Sequence, residues 1–170
     1  AGLPGAQQFI LEDVPRMVAE YGKETAFFST NCGMQVPLIS AALNEGAIYP
    51  QPCCPSPTHG FPSALGITVP EDKQGDFAYI LDTIKTKVAD KKGTGRFSTW
   101  SVPISMMFVE GGVEYAMAWA EGKTTGKVDP VALRKAFEEY AETTISMNTL
   151  EENGTKYDNY FMILLDFYTF

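Results

Sequence analysis

The segment PQPCCPSPTHG, residues 50–60, concentrates side chains that could do chemistry. It contains Cys53, Cys54 and His59, which are two of the chain's three cysteines and its only histidine, together with four prolines. Thiol and imidazole groups bind zinc, or act together as a nucleophile and its base. A third interpretation is a stiff loop that shapes a pocket, because prolines lower the entropy of the unfolded loop and a preordered loop binds at less cost.

The spacing of these groups favours the third interpretation. Structural zinc sites use four ligands from paired motifs, whereas Cys53, Cys54 and His59 supply at most three. A nucleophile would need the histidine within hydrogen-bond reach and a third group to orient it. A bridge from Cys32 to either thiol is geometrically possible, but the sequence does not reveal it. Since the common catalytic motifs are also missing, we predict no metal, no cofactor, no catalytic residue and no enzyme activity.

Composition restricts the class of protein. The chain has 170 residues, 45% of them hydrophobic, and a formal net charge of -8. The length and hydrophobic content are typical of one globular domain. The acidic balance argues against a nucleic-acid partner, because phosphate binding needs clustered Lys and Arg. The longest apolar run is interrupted by Asp166, so no membrane-spanning helix is predicted.

Helical and strand patterns alternate along the chain. Apolar spacing predicts helices over residues 6–21, 37–45, 77–90, 104–121 and 130–142. The first should break near Asp13 because Pro15 lies inside it. The helix that begins at Ile104 is apolar on most sides, so we expect it to be buried against more than one neighbour. Short apolar runs predict strands in TAFFS (25–29), AIYPQ (47–51), RFSTW (96–100) and NYFMILLDFYTF (159–170).

This order predicts an α/β fold with a mostly parallel sheet flanked by helices. Ligands in such folds bind at the carboxyl ends of the strands, where the loops STNCG, CCPSPTHG and STWSVP would meet. Asn31 could cap the next helix or donate to a ligand. Trp100 could pack in the core or stack on a ligand. The candidate ligand-binding residues are Ser29, Asn31, Cys32, Cys53, Ser56, Thr58, His59, Trp100 and Ser101.

Two long segments, residues 25–51 and 97–123, resemble the second lobe of type I periplasmic binding proteins and its crossing to the first lobe. More narrowly, GAQQFILEDVP, CCPSPTHG and ALGI resemble an uncharacterised bacterial family of the same fold, whose members look like lipid-anchored extracytoplasmic proteins. The resemblance implies a ligand-binding region over residues 1–100, a hinge and long helix over 101–123, and a C-terminal helix and strand over 124–170. It also implies that the first lobe is absent, since a complete protein of this type has on the order of 270 residues.

The resemblance implies an extracytoplasmic solute-binding protein that captures a small molecule in an interlobe cleft without catalysis. Its full-length form would be anchored as a lipoprotein. The expected partners are the small molecule, a first lobe or another chain that covers the apolar helix, and a membrane transporter. Two alternatives stay open: an enzyme that uses Cys53 or Cys54 with His59, and an intracellular effector-sensing or interaction domain.

Overall fold

The computed structural model describes residues 2–170 and divides the chain into two compact units. One unit ends at Pro103 and also includes Phe167–Phe170, and the other spans Ile104–Asp166. The α-helices are α1 (Gly2–Tyr21), α2 (Gln35–Glu45), α3 (Phe61–Leu65), α4 (Phe77–Asp90), α5 (Ile104–Ala120) and α6 (Pro130–Ala141). The strands are β1 (Ser98–Trp100), β2 (Ile145–Glu152), β3 (Thr155–Leu165) and β4 (Phe167–Thr169). Within residues 2–170, none of the helices has both the length and the apolarity to cross a membrane.

The first unit is built around α2 and α4, whose predicted apolar faces are confirmed. The buried stripes consist of Leu38, Ile39, Ala42 and Leu43 on α2 and of Ile80, Leu81, Ile84 and Val88 on α4. Gly46 ends α2 in the left-handed region, at φ 69°, as a glycine after a helix commonly does. Tyr49, Phe61, Phe97 and Phe170 fill the same core. Local spacing therefore specified these two helices correctly.

Strand pairing within the two units only partly follows the prediction. The fold is mixed α/β, but the paired strands run antiparallel: β1 with β4 and β2 with β3. Parallel pairing occurs as two isolated bridges, Ala26 with Ile48 and Tyr49 with Phe97. The expectation of a mostly parallel sheet is corrected accordingly. These segments are too short for long ladders, but the bridges still orient three successive segments in the same direction.

Helix α1 contradicts the predicted break. It continues from Gly2 to Tyr21 with Pro15 inside it. Val14 and Val18 are buried on either side of the proline, in the same core as α2. We attribute the continuity to this packing, since burial of an apolar face can offset the hydrogen bond that a proline removes.

The second unit contains α5, α6 and the β2–β3 hairpin. Asp129 caps α6, as predicted, because its Oδ1 accepts from the amides of Val131 and Ala132 at 3.1 Å. Helix α5 forms where expected, but only Met107 and Gly111 on it are buried. The predicted burial on several sides is therefore wrong within the described residues. Its large exposed apolar residues are Met106, Phe108, Val109, Val113, Met117 and Trp119.

The C-terminal region was only partly predicted. Strand β2 was missed, because its sequence ISMNTLEE lacks a continuous apolar run. The predicted strand over residues 159–170 is divided at Asp166 into β3 and β4. Phe170 follows β4, and its amide donates to the carbonyl of Phe97 at 2.9 Å. The last residues therefore complete the core of the first unit.

The Gly111–Gly112 pair in α5 supports a matched prediction about packing. A Cβ on Gly111 would lie 2.4 Å from Cδ1 of Phe137 on α6, whereas a Cβ on Gly112 would meet nothing within 4 Å. We expect Gly111→Ala to lower the unfolding free energy by about 1–2 kcal/mol, because overpacking outweighs the gain in helix propensity. Gly112→Ala should raise it by up to about 1 kcal/mol. Urea unfolding of both variants tests this, and equal effects would contradict the close approach of α5 and α6.

Candidate functional site

The first candidate loop is held by short hydrogen bonds around Asn31. The Asn31 Oδ1 accepts from the amide of Gly33 at 2.9 Å and caps a 3-10 turn, Cys32–Met34, that precedes α2. Its predicted capping role is confirmed. The Ser29 Oγ accepts from the Asn31 amide at 3.2 Å. Because the side-chain oxygen of Asn31 is used in the cap, its side-chain amide nitrogen is the donor left for a ligand. Asn31 itself is exposed.

Gln35 and Tyr49 anchor this loop, and sequence reasoning missed both. Gln35 is fully buried, and its Nε2 donates to the carbonyls of Ser29 at 3.2 Å and Asn31 at 2.8 Å. The hydroxyl of Tyr49 donates to the Gln35 Oε1. Burial, and secondarily the neighbouring Cys53, raises the pKa of Tyr49, so its hydroxyl remains a donor. A glutamine inside the apolar stripe of α2 was the available signal, since a buried amide needs partners.

The second candidate loop, residues 50–60, alternates buried and accessible residues. Pro52, Pro55 and Pro57 are buried, while Cys54 and Thr58 are exposed. The buried Ser56 Oγ accepts from the Thr58 amide at 3.1 Å and lies 2.8 Å from the Thr58 hydroxyl oxygen. The amide of His59 donates to the Ser56 carbonyl at 3.2 Å. Ser56 therefore serves the loop itself, and Thr58 and His59 present the more accessible groups.

The two loops meet through their thiols. The Sγ of Cys32 lies 3.4 Å from that of Cys53 and 3.9 Å from that of Cys54. One donor atom from each of Cys32, Cys53 and His59 lies within 4.8 Å of the other two. The three cysteines are free thiols. The structure thus gathers side chains that are more than twenty residues apart in sequence into one cluster.

The electrostatics of the thiols argue against an activated nucleophile. Burial, followed by a hydrogen bond with Cys32 and the charges of the other thiols, raises the pKa of Cys53 to about 12. Burial and the hydrogen bond with Cys32 also raise the pKa of Cys54. A catalytic cysteine needs a lowered pKa, because the thiolate is the nucleophile. The raised thiol pKa values do not favour the enzyme alternative, although Cys53 and His59 lie close together, and that alternative stays a hypothesis.

The third candidate loop follows β1, where Trp100 is buried and only 4% exposed. Its ring therefore packs within the protein, and stacking on a ligand stays a prediction. Ser101 is half-buried beside it. Within residues 2–170, the fully buried side-chain polar atoms without a hydrogen-bond partner are Gln51 Oε1, Thr99 Oγ1 and Trp100 Nε1. Thr99 and Trp100 belong to β1, and Gln51 lies two residues after Tyr49, which pairs with Phe97 in an isolated parallel bridge.

Comparisons with known proteins agree with the α/β fold. The crystal structure of a "Putative transcriptional regulator" from Clostridium difficile 630 is similar to this chain, with a TM-score of 0.82 and 23% sequence identity. The similarity covers 96% of this chain and 46% of the other, so this chain spans about half the length of that structure. At this identity the likeness shows the fold alone.

Sequence comparisons add a family without a described activity. No curated protein matches the chain. Residues 1–98, which carry the candidate loops up to β1, match the family described as "Protein of unknown function (DUF3798)". This confirms the predicted resemblance to an uncharacterised family, at that level of detail. The chain belongs to the DUF3798 family of proteins of unknown function.

Proposed function

We propose that this chain is the ligand-binding part of an extracytoplasmic solute-binding protein of the type I periplasmic class, which holds a small polar molecule without chemical change. The observation that carries the proposal is the meeting of the loops at one edge. The bridges Ala26–Ile48 and Tyr49–Phe97 are parallel, so the segments after them leave the fold in the same direction. The contact of Cys32 with Cys53 shows that the first two loops touch.

The side chains at this edge favour a ligand with both donors and acceptors. The Asn31 amide nitrogen and the Thr58 hydroxyl lie on exposed residues, and the His59 imidazole is half-buried. Behind them, Gln51 Oε1 and Trp100 Nε1 lack a hydrogen-bond partner but are buried, so a ligand would reach them only if the loops moved apart. Leaving such groups unpaired costs about 1–3 kcal/mol each, a cost that a polar ligand could remove.

Thermal unfolding tests the proposal directly. The reduced chain is heated with pools of small polar metabolites, including sugars, amino acids and nucleosides. A ligand at one hundred times its Kd should raise the unfolding free energy by about 2.7 kcal/mol, which gives a clear shift in Tm. Thr58→Ala and Asn31→Ala should reduce the ligand-induced shift, each measured against its own ligand-free Tm. Ser63→Ala, on an exposed position of α3, is the control that should retain it.

Two results would contradict the proposal. One is that none of the metabolite pools raises the Tm of the parent chain. The other is a ligand whose shift is unchanged in Thr58→Ala and Asn31→Ala, which would place binding elsewhere. Enrichment of the full-length protein in the membrane fraction tests the lipoprotein proposal separately. Its recovery entirely in the soluble cell interior would favour the effector-sensing alternative.

A further inference from the structure

The cluster of Cys32, Cys53, Cys54 and His59 has the composition of a zinc site. Structural zinc sites include the set of three cysteines and one histidine, and open zinc sites include two cysteines and one histidine. Cys32, Cys53 and His59 already place three donor atoms within 4.8 Å of one another. The spacing in sequence concealed this set, because Cys32 comes from the preceding loop.

The distances between the sulfur atoms fit a metal better than a disulfide. A zinc–sulfur bond of about 2.3 Å and tetrahedral angles place two bound sulfurs about 3.8 Å apart. The observed distances from the Cys32 Sγ, 3.4 Å to Cys53 and 3.9 Å to Cys54, lie on either side of that value. A disulfide would require about 2.05 Å. Shifts of a few tenths of an ångström would therefore accommodate an ion between these sulfurs.

The backbone that carries the donors is well supported. Cys32 lies in the turn capped by Asn31, whose carbonyl accepts from the buried Gln35 side chain at 2.8 Å. Cys53 lies between two buried prolines, Pro52 and Pro55, which restrict its backbone. The amide of His59 donates to the Ser56 carbonyl. Donors fixed in this way lose little entropy when they bind an ion, which favours affinity.

We propose that Cys32, Cys53 and His59 bind one thiophilic divalent ion of the zinc class, with Cys54, whose Sγ lies 3.9 Å from that of Cys32, as the candidate for a fourth ligand. Thiolates and a neutral imidazole suit zinc, whereas magnesium and calcium prefer oxygen ligands. The metal site does not depend on the proposed binding of a small molecule, because all of the metal's ligands are side chains of this chain.

Metal titration of the full, tag-free chain under a phosphine reductant tests the site. Zinc added in competition with a coloured chelator should bind at one ion per chain. Cobalt(II), used as a coloured probe, should give thiolate-to-metal charge-transfer absorption and the intense visible bands of a tetrahedral site. Cys32→Ser, Cys53→Ser and His59→Ala should each weaken zinc binding by more than about 100-fold, since they remove ligands rather than outer partners. Cys54→Ser should weaken it less, and Ser63→Ala should leave it unchanged.

A measurement on the parent chain covers the case in which a variant does not fold. Zinc should protect Cys32 and Cys53 from alkylation by a maleimide, as counted by peptide mass spectrometry, and a chelator should restore their labelling. Equal labelling with and without zinc would overturn the proposal. So would the lack of saturable binding at micromolar zinc, or cobalt spectra that are unchanged in folded Cys32→Ser and His59→Ala variants.

Discussion

Replacing Gly60 with alanine should lower the unfolding free energy of the first unit by about 3 kcal/mol and separate the two candidate loops. Gly60 has φ +82°, a conformation that costs an L-residue about 1–2 kcal/mol. Its Cβ would also lie 2.9 Å from the Cβ of Gln35 and 3.0 Å from Cδ1 of Ile39. Both neighbours are buried on α2, so overpacking adds about 1–3 kcal/mol.

Gly66 provides the matched control for this experiment. It also has a positive φ, +63°, but a Cβ there would meet nothing within 4 Å. Gly66→Ala should therefore show the backbone strain alone, about 1 kcal/mol. Chemical unfolding of both variants measures the difference. Because His59 precedes Gly60, zinc affinity should also fall in Gly60→Ala and not in Gly66→Ala. Equal destabilisation of the two variants would contradict the close approach of this loop to α2.

Replacing the buried Gln35 with methionine should lower the unfolding free energy by about 3 kcal/mol. Methionine has a similar volume, so the change removes hydrogen bonds without leaving a large cavity. The buried Tyr49 hydroxyl loses its acceptor, and a buried unsatisfied group costs about 1–3 kcal/mol. The carbonyls of Ser29 and Asn31 also lose their side-chain donor, which adds to this cost. Gln74→Met, at an exposed position, is the control and should change stability by less than about 0.5 kcal/mol.

A double-mutant cycle identifies the cause of the Gln35 effect. Tyr49→Phe removes the hydroxyl and leaves the Gln35 Oε1 without that donor, at a cost of about 1–2 kcal/mol. If the two side chains are bonded, the double variant should be more stable than the sum of the single effects predicts, by at least about 0.5 kcal/mol. Urea unfolding of the four proteins gives this coupling. Additive effects would show that Gln35 and Tyr49 do not interact.

The exposed apolar face of α5 leaves the predicted partner as a hypothesis. Val109 and Met117 on this helix are 60% and 52% exposed, and burying such side chains gains about 25 cal/mol per Å². The sequence analysis expected another lobe or chain to cover this helix. The exposed side chains on this face are apolar, as a contact with another lobe or chain would require. The partner that covers this face stays a prediction.

The sequence by itself determined the elements whose signals are local. The apolar stripe of α4, the Asp129 cap of α6 and the glycine that ends α2 each act within a few residues, so spacing predicts them. It also indicated where the candidate loops lie, although TAFFS and AIYPQ form isolated bridges and not the predicted strands. Pro15 and α5 were misjudged because burial depends on what packs against a helix, which periodicity does not report.

Only the tertiary structure decided which of the reactive groups meet. Cys32 and Cys53 are separated by 21 residues, and their contact depends on the parallel bridge between Ala26 and Ile48 that aligns the loops after them. Through the same packing, the side chain of Gln35 on the apolar face of α2 anchors the loop that contains Asn31. Contacts at this separation depend on strand pairing and side-chain direction, which a single sequence does not specify.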